Sequence, residues 1–282
     1  MKNQTYKLLI LSIFITFSSV AQINTPAASP AATVSQALGL TKITINYSRP
    51  SVKGRKIFGD LVPYGKIWRT GANTITSIKF DDDVLVNGAP MKAGSYGLYT
   101  IPGIGEWTIV INRDDKQWGA YGYDDKKDVI RFTVQPMKPE IFQEQMSIEF
   151  EEFTPTSTYI AIKWESSEAR FKVEQNVDDK IMAEIAEKTA KPDVSSNTLF
   201  AAADYYFQKG INLKQAAEWA TKVLEKNKAY WSYQLLARIS AKQGNCEMAM
   251  PNAEKSMELA KKAGDDAYIK LNEKVFAQCG KK

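Results

Sequence analysis

Apolar and polar residues alternate in short segments through the first half of the chain, and turn residues separate these segments. Ile43, Ile45 and Tyr47 share one face of a predicted strand, with polar neighbours on its other face. Asn87-Gly88 predicts a tight hairpin, because a type I′ turn needs a positive φ at both central positions. About nine short strands follow one another without a helical period, which is typical of an antiparallel sandwich or barrel.

The period of the apolar residues changes after Asn176. Val177–Thr189 is predicted to be a helix with Asp178 as its N-cap, and further helices follow to the end of the chain. Small residues then recur at a fixed spacing. Ala203 recurs 34 residues later as Ala237, and Ala216, Ala220 and Leu224 recur 33 residues later as Ala249, Ala253 and Met257. This spacing resembles that of a tetratricopeptide repeat, in which small residues let two antiparallel helices pack closely.

These two patterns predict an α+β protein of two domains. An antiparallel β-sandwich is expected over residues 37–176, and a short α-helical, tetratricopeptide-like repeat domain over 178–280. Residues 22–36 contain Pro26, Pro30 and many alanines and serines, and we expect them to form a flexible leader.

The first residues have the features of a secretory signal peptide. Lys2 and Lys7 precede the apolar segment Leu8–Phe17, and small residues follow up to Ala21. The apolar segment is shorter than the roughly 20 residues of a membrane-spanning helix. We therefore expect cleavage after Ala21 and an exported protein, periplasmic or extracellular, without a membrane span.

Five motifs occur in order along the β-rich half. They are I-N-Y-S-R-P-S-V-K-G-R-K-I-F-G (Ile45–Gly59), Y-G-K-I-W-R-T-G-A-N (Tyr64–Asn73), K-A-G-S-Y-G-L-Y-T-I-P (Lys92–Pro102), E-W-T-I-V-I-N (Glu106–Asn112) and W-G-A-Y-G-Y-D (Trp118–Asp124). Together they resemble an uncharacterised family of secreted domains, the domain of unknown function numbered 2911. The resemblance covers about residues 36–176 and implies an extracytoplasmic β domain, often followed by helical repeats. It implies no activity, because none is established for the family.

The composition narrows the chemistry. The chain has no histidine, which excludes Ser-His-Asp and Cys-His nucleophilic systems and removes the commonest zinc ligand. The net charge of +5 is small, and the lysines and arginines are interspersed with acids throughout the chain, so no basic stripe indicates a nucleic-acid partner. We expect no cofactor and no metal site. Asp124, Asp125 and Asp128 are the residues that a calcium site would use, but the spacing of an EF-hand loop is absent.

Two predicted loops, Tyr64–Asn73 and Trp118–Asp125, are rich in glycine, aromatic and charged residues. Their candidate ligand-binding residues are Trp68, Arg69, Asn73, Trp118, Tyr121 and Tyr123, which would suit a sugar ring or an aromatic ligand. The alternative is that Trp68 and Trp118 fill the ends of the sandwich while Arg69 pairs with an aspartate. Arg49, Arg55 and Lys56 are candidates for binding an anion, and a solvated loop is the alternative.

Cys246 and Cys279 are the only cysteines. One opens a predicted helix and the other closes the next, so antiparallel packing would bring them together. Export would place them in an oxidising compartment, and we predict a disulfide, with two free buried thiols as the alternative.

The sequence thus favours a non-enzymatic binding or scaffold protein. Its helical repeats would bind an unknown protein or peptide partner, and its loops a ligand such as a carbohydrate. The alternative is a histidine-independent hydrolase of an envelope polysaccharide, with Asp81-Asp82-Asp83, Asp114-Asp115 or Asp124-Asp125 as the acidic residues.

Overall fold

The computed structural model describes residues 25–280. The expected signal peptide, its cleavage site and the first residues of the expected leader lie outside the described residues. Within residues 25–280, no helix combines the length and the apolar character that crossing a membrane requires.

Contacts between residues divide the chain into two compact units, and the division falls between Gln175 and Asn176. We call residues 25–175 the β unit and residues 176–280 the helical unit. The β unit contains eleven strands among its described residues. They are β1 (Ala31–Leu38), β2 (Thr41–Ser48), β3 (Thr76–Phe80), β4 (Val84–Val86), β5 (Ala89–Met91), β6 (Gly94–Ile101), β7 (Trp107–Asn112), β8 (Asp128–Val134), β9 (Gln143–Glu151), β10 (Ser157–Glu165) and β11 (Ser167–Glu174).

The strands form two antiparallel sheets. One has the order β1-β2-β3-β6-β7-β8 and the other the order β5-β4-β11-β10-β9. Alternate residues of both sheets point into one shared core, in which Ile43 and Ile45 of the first sheet and Ile160 and Ile162 of the second are almost fully buried. The predicted antiparallel sandwich is therefore confirmed, and its core follows from the period of two along each strand.

The predicted hairpin at Asn87-Gly88 is also confirmed. Val86 pairs with Ala89 across the turn, and Asn87 and Gly88 have φ values of 49° and 84°. Positive φ at both positions is what a type I′ turn requires.

The expectation of a flexible leader is wrong for residues 31–36, because they belong to β1. All eight residues of β1 pair with β2, from Ala31 opposite Ser48 to Leu38 opposite Thr41. Alanine and serine have little intrinsic preference for strands, so the local sequence gives no signal. Pairing with β2 and the packing of Val34 on the core hold this edge strand in place.

The helical unit consists of six helices in its described part. They are α1 (Asp178–Thr189), α2 (Ser196–Lys209), α3 (Leu213–Lys226), α4 (Tyr230–Lys242), α5 (Cys246–Ala263) and α6 (Asp266–Cys279). The N-cap expected at Asp178 is wrong. Val177 takes the N-cap position of α1, and the Asp178 carboxylate instead binds Tyr205 and Lys209 of α2.

Small side chains let these helices pack closely. Ala203, Ala216, Ala237 and Ala249 have no exposed surface, and they come from α2, α3, α4 and α5. The structure joins Cys246 at the start of α5 to Cys279 at the end of α6 by a disulfide, with their Cα atoms 5.5 Å apart. This geometry places one covalent link at the point where two antiparallel helices begin and end.

Candidate ligand pocket in the β unit

A pocket of about 600 Å³ lies within the β unit. Its lining residues are Ser29, Pro50, Arg55, several residues of the segment 61–73, Ala120, Tyr121 and Trp164 near the end of β10. The charged, amide and aromatic side chains of the lining are Arg55, Lys66, Trp68, Arg69, Asn73, Tyr121 and Trp164. A volume between about 300 and 1,000 Å³ is usual for a small-molecule site.

The segment 64–73 is fixed to strand β6. The backbone N–H of Trp68 donates to the carbonyl of Thr100 at 2.8 Å, and the N–H of Thr100 donates back to the carbonyl of Trp68 at 3.0 Å. The Gly65 N–H donates to the carbonyl of Pro102 at 2.8 Å. Trp68 and Thr100 therefore form an isolated antiparallel β-bridge, which fixes the backbone next to Arg69.

The side chain of Trp68 is part of the core. It is 6% exposed, its ring stacks on Trp164 at 5.8 Å between centroids, and Phe58 meets both rings edge-on. This arrangement agrees with the alternative in which Trp68 fills the sandwich. Trp68 still lines the pocket, but with so little exposed surface it forms part of the wall and not an open stacking platform.

Two non-glycine residues beside Arg69 have left-handed backbones. Thr70 has φ 54° and Asn73 has φ 61°. Asparagine tolerates this region, but a β-branched threonine adopts it only where its surroundings enforce it. Thr70 is fully buried, its hydroxyl donates to Thr100 Oγ1 at 3.2 Å, and its carbonyl accepts a 2.6 Å hydrogen bond from Thr76 Oγ1. Strained backbone held in this way is frequent at binding sites.

Asn73 lines the pocket, and its hydrogen bonds hold the pocket wall in place. Its side-chain amide donates to the carbonyl of Ser29 at 3.2 Å and to the hydroxyl of Ser48 at 3.3 Å. Its backbone carbonyl accepts from the N–H of Gly119 at 3.0 Å. Asn73 therefore ties three separate segments together, one of which carries Tyr121.

The pocket is lined by three cationic side chains, Arg55, Lys66 and Arg69, and by no carboxylate among the described residues. Arg55 donates through Nε to the carbonyl of Val52 at 3.0 Å, which fixes its orientation. Arg69 forms no ion pair with a described aspartate or glutamate, and its buried Nε has no hydrogen-bond partner among the described residues. The ion pair considered for Arg69 is thus not found in the described part of the chain.

Trp164 Nε1 is a second buried donor without a partner in residues 25–280. Glu165, which follows it, accepts instead from the backbone N–H of Ile57 at 3.2 Å. Unpaired buried donors cost stability and usually mark a place where a polar group is missing. Trp164 and Lys66 are pocket residues that the sequence analysis did not select. Trp164 lies far from the two glycine-rich motifs, and Lys66 lies within one of them but is not aromatic.

Tyr121 stands at the edge of the pocket with 93% of its side chain exposed. Gly119 lets the ring lie against the backbone. A Cβ at this glycine would come within 2.8 Å of two ring carbons, and its φ is 71°. Trp118 is 67% exposed and does not line the pocket, so it does not fill the end of the sandwich.

Asn112 anchors the segment that carries these aromatics. It is buried, its Nδ2 donates to the carbonyl of Asp124 at 2.9 Å and to Asp128 Oδ1 at 2.8 Å, and its Oδ1 accepts from the N–H of Asp114 at 2.9 Å. Both ends of the segment are therefore fixed to the last residue of β7. The sequence analysis missed Asn112, because a polar residue at a strand end gives no special signal.

Tyr123 belongs to this anchor and not to the pocket. Its hydroxyl donates to Asp128 Oδ2 at 2.7 Å and accepts from Arg131 at 2.6 Å, and its ring meets Tyr99 at 5.0 Å. Burial, together with the hydrogen bond to the Asp128 carboxylate, raises the pKa of Tyr123 to about 12. Burial also raises the pKa of Tyr99 to about 12.

The three residues considered for anion binding separate in the structure. Arg55 lines the pocket, whereas Arg49 donates through Nε to the carbonyl of Met146 at 3.0 Å. Lys56 is exposed and does not line the pocket. The pocket thus combines one member of this group with Arg69 of the other group.

Comparison with known proteins adds one result. A family model described as a protein of unknown function, DUF2911, matches residues 29–173, just over half of the chain. The chain belongs to this family. No curated protein and no solved structure matches the chain. The match includes β1, which agrees with the correction of the leader, and it includes every residue that lines the pocket.

The DUF2911 match ends before the helical unit. The tetratricopeptide-like interpretation of residues 178–280 therefore stays a prediction. The pocket lies wholly inside the matched residues, so any function it has belongs to the DUF2911 part of the chain.

The candidate acidic residues lie apart from the pocket. Asp81 binds Lys79 at 2.7 Å, and Asp124 caps a single turn of 3₁₀ helix at residues 125–127. Asp114 accepts from Gln117 at 2.6 Å, which is the main reason its pKa lies below the usual range. Among the described residues, no group of three or more His, Cys, Asp or Glu side chains could hold a metal ion.

Proposed function

We propose that this DUF2911 protein is an exported, non-enzymatic binding protein whose β-unit pocket holds a small ligand. The observation that carries the proposal is the pocket of about 600 Å³ that brings Trp68, Arg69, Asn73 and Tyr121 together. These are four of the six residues that the sequence analysis selected. They sit on segments fixed by backbone bonds and by strained residues, as a preformed site requires.

The polysaccharide hydrolase is not favoured. Such an enzyme needs two carboxylates facing each other across a cleft, about 5–10 Å apart. The described residues that line the pocket carry cations and aromatic rings. The candidate aspartates serve instead in ion pairs and turns, as shown for Asp81 and Asp124.

The pocket is tested by thermal denaturation of the mature protein with a panel of monosaccharides, glycans and peptidoglycan fragments. A ligand that binds the native state raises the Tm by mass action. Ala72 lines the pocket, so Ala72→Trp should fill it without changing any charge. Tyr121→Ala should weaken binding, whereas Trp118→Ala removes an exposed aromatic outside the pocket and is the matched control. A shift that survives Ala72→Trp would overturn the assignment of the pocket.

Export is the second part of the proposal. It is supported by the charged, apolar and small residues of 1–21, which have the order found in a secretory signal peptide. N-terminal sequencing of protein from the extracytoplasmic fraction should begin at Gln22. Recovery of the chain in the cytoplasm with residue 1 intact would contradict it.

We assign protein interaction to the helical unit. Between α1 and α2 lies a groove of about 460 Å³ with Ile181, Ile185 and Ala202 on its walls and Glu184 and Lys188 among its lining residues. An extended or helical peptide with apolar side chains and mixed charge would fit such a surface.

A peptide library presented to the full chain tests this assignment. Ala201 is exposed and lines the groove, so Ala201→Arg should abolish binding. Ala186 is exposed on α1 outside the groove, and Ala186→Arg is the control with the same change in charge and size. Equal loss in both variants, or no selective peptide, would remove the groove from the proposal.

A further inference from the structure

The electrostatics of the β-unit pocket define the ligand more closely than its size does. Arg55, Lys66 and Arg69 contribute three positive charges to the lining. No described carboxylate lines the pocket to compensate them, and none of the three forms an ion pair within residues 25–280. Like charges gathered around one concave surface repel each other and attract an anion.

Two side chains that line the pocket also have a hydrogen-bond donor without a partner. Arg69 Nε and Trp164 Nε1 are both buried, and neither has a hydrogen-bond partner among the described residues. Both groups can only donate, so only an acceptor can satisfy them. The Trp164 side chain is 2% exposed and its unpaired N–H is costly, so a ligand in the pocket satisfies it only when the neighbouring side chains move aside.

The other walls are apolar or aromatic. Val62, Pro63, Ile67, Trp68 and Tyr121 also line the pocket, and the ring of Tyr121 is largely exposed. A bare inorganic ion would leave most of about 600 Å³ unfilled. The lining therefore suits a ligand that combines an oxyanion with a compact ring.

We infer that the pocket binds an acidic sugar, that is, a sugar-sized ring bearing a carboxylate or a phosphate. Arg69 and Lys66 bind the oxyanion, Arg55 adds charge, and Trp68 and Tyr121 contact the ring. The inference rests on the proposed binding function of the pocket and goes beyond it by naming the charge and the size of the ligand. Arginine matches the planar geometry of a carboxylate or phosphate with paired donors, which explains its use here.

The test is isothermal titration of the full mature chain with glucuronate, galacturonate, glucose 6-phosphate, glucose and inorganic phosphate. We expect one of the two acidic classes to bind at least about 10-fold more tightly than glucose, and more weakly as ionic strength rises. A preference for the uronates identifies the carboxylate as the natural oxyanion, and a preference for glucose 6-phosphate identifies the phosphate. Inorganic phosphate alone should bind more weakly than glucose 6-phosphate, because it does not contact the aromatic wall.

Single substitutions test which cationic side chains bind the oxyanion. Arg69→Gln should raise the Kd by about 10- to 100-fold, the usual effect of losing a charged hydrogen bond. Lys66 is exposed, so Lys66→Gln tests the same idea without disturbing the packing. Lys56 lies in the neighbouring segment outside the pocket, and Lys56→Gln removes the same charge and should change the Kd less than twofold.

The outcomes separate the inference from the function on which it rests. If glucose binds as tightly as the acidic sugars and Ala72→Trp abolishes that binding, the pocket stands and the inference fails. If no acidic sugar binds at about 10 mM, or if Arg69→Gln and Lys66→Gln both leave the Kd unchanged, the inference fails as well. If acidic sugars bind equally to the wild type and to Ala72→Trp, the proposed function of the pocket fails with it.

Discussion

The indole Nε1 of Trp68 donates a hydrogen bond of 3.1 Å to the carbonyl oxygen of Gly71. This bond closes the segment that carries Arg69 back onto a ring that is itself packed in the sandwich core. The position of Arg69 in the pocket therefore depends on the packing of Trp68 against Phe58 and Trp164. The packing of Trp68 in the core thus holds both ends of the short segment 68–71, in which Arg69 lies.

The two candidate tryptophans should respond differently to the same substitution. Trp68→Ala is expected to lower the free energy of unfolding by about 3–5 kcal/mol, because it removes a buried ring and leaves a cavity. Trp118→Ala should change it by less than about 0.5 kcal/mol, since the ring is 67% exposed. Urea denaturation of both variants measures the difference. Similar losses in the two would contradict the placement of Trp118.

Gly97 lets the segment after Asn112, which contains Asp114 and Tyr121, approach strand β6 closely. A Cβ on Gly97 would lie 2.3 Å from the carbonyl oxygen of Asp114, which is backbone and cannot turn away. Gly97→Ala should therefore destabilise by about 1–3 kcal/mol and displace Tyr121 from the pocket edge. Gly105→Ala, whose Cβ would meet nothing within 4 Å, is the control. Equal unfolding free energies for the two variants would contradict this packing.

Tyr123 should make the stability fall at high pH. Its pKa is about 12 in the folded protein, and an unperturbed tyrosine has a pKa of about 10. The unfolded chain thus loses this proton first, so the contribution is complete below pH 10 and is lost as the pH rises toward 12. Tyr123→Phe should show a shallower fall in unfolding free energy between pH 9 and 11 than the wild type.

The matched control for this experiment is Tyr121→Phe. Tyr121 is 93% exposed and lies near Tyr123 in the same segment. Tyr121→Phe removes one tyrosine hydroxyl from the same segment without touching the contact between Tyr123 and Asp128. An identical slope in wild type and Tyr123→Phe would show that the contact between the Tyr123 hydroxyl and Asp128 does not contribute to stability.

The disulfide should stabilise the helical unit because it lowers the conformational entropy of the unfolded chain. Cys246 and Cys279 are 33 residues apart, and closing a loop of that length contributes about 3–4 kcal/mol in the loop-entropy model. The double variant Cys246→Ala, Cys279→Ala should lose that amount in denaturant titrations. Wild type in reductant should lose a similar amount, which controls for the side-chain change. Two thiols that react with iodoacetamide in the native, non-reduced protein would contradict the link.

Several elements were predictable because their cause is local. The hairpin at Asn87-Gly88 follows from the backbone freedom of two residues. The core positions Ile43 and Ile45 follow from the period of two, and the buried alanines Ala203 and Ala237 follow from their spacing.

The pocket was predictable only in part. Trp68, Arg69 and Tyr121 stood out because aromatic and charged residues flank glycines in the sequence. Trp164 did not, because it ends a strand of the other sheet far along the chain, and only the folded sandwich brings its ring to Trp68. Tyr123 looked like a ligand-binding residue for the same compositional reason as Tyr121, yet its hydroxyl is used by Asp128 and Arg131.

By itself, the sequence determined the α+β order, the antiparallel strands and the family, because alternation, helical period and short motifs are written in neighbouring residues. Tertiary structure alone decided that Ala31–Leu38 is a strand, since its hydrogen bonds come from β2. It also decided which side chains share the pocket. Trp164 meets Lys66 and Arg69 there through long-range packing, and no pattern of near neighbours can specify a contact between two sheets.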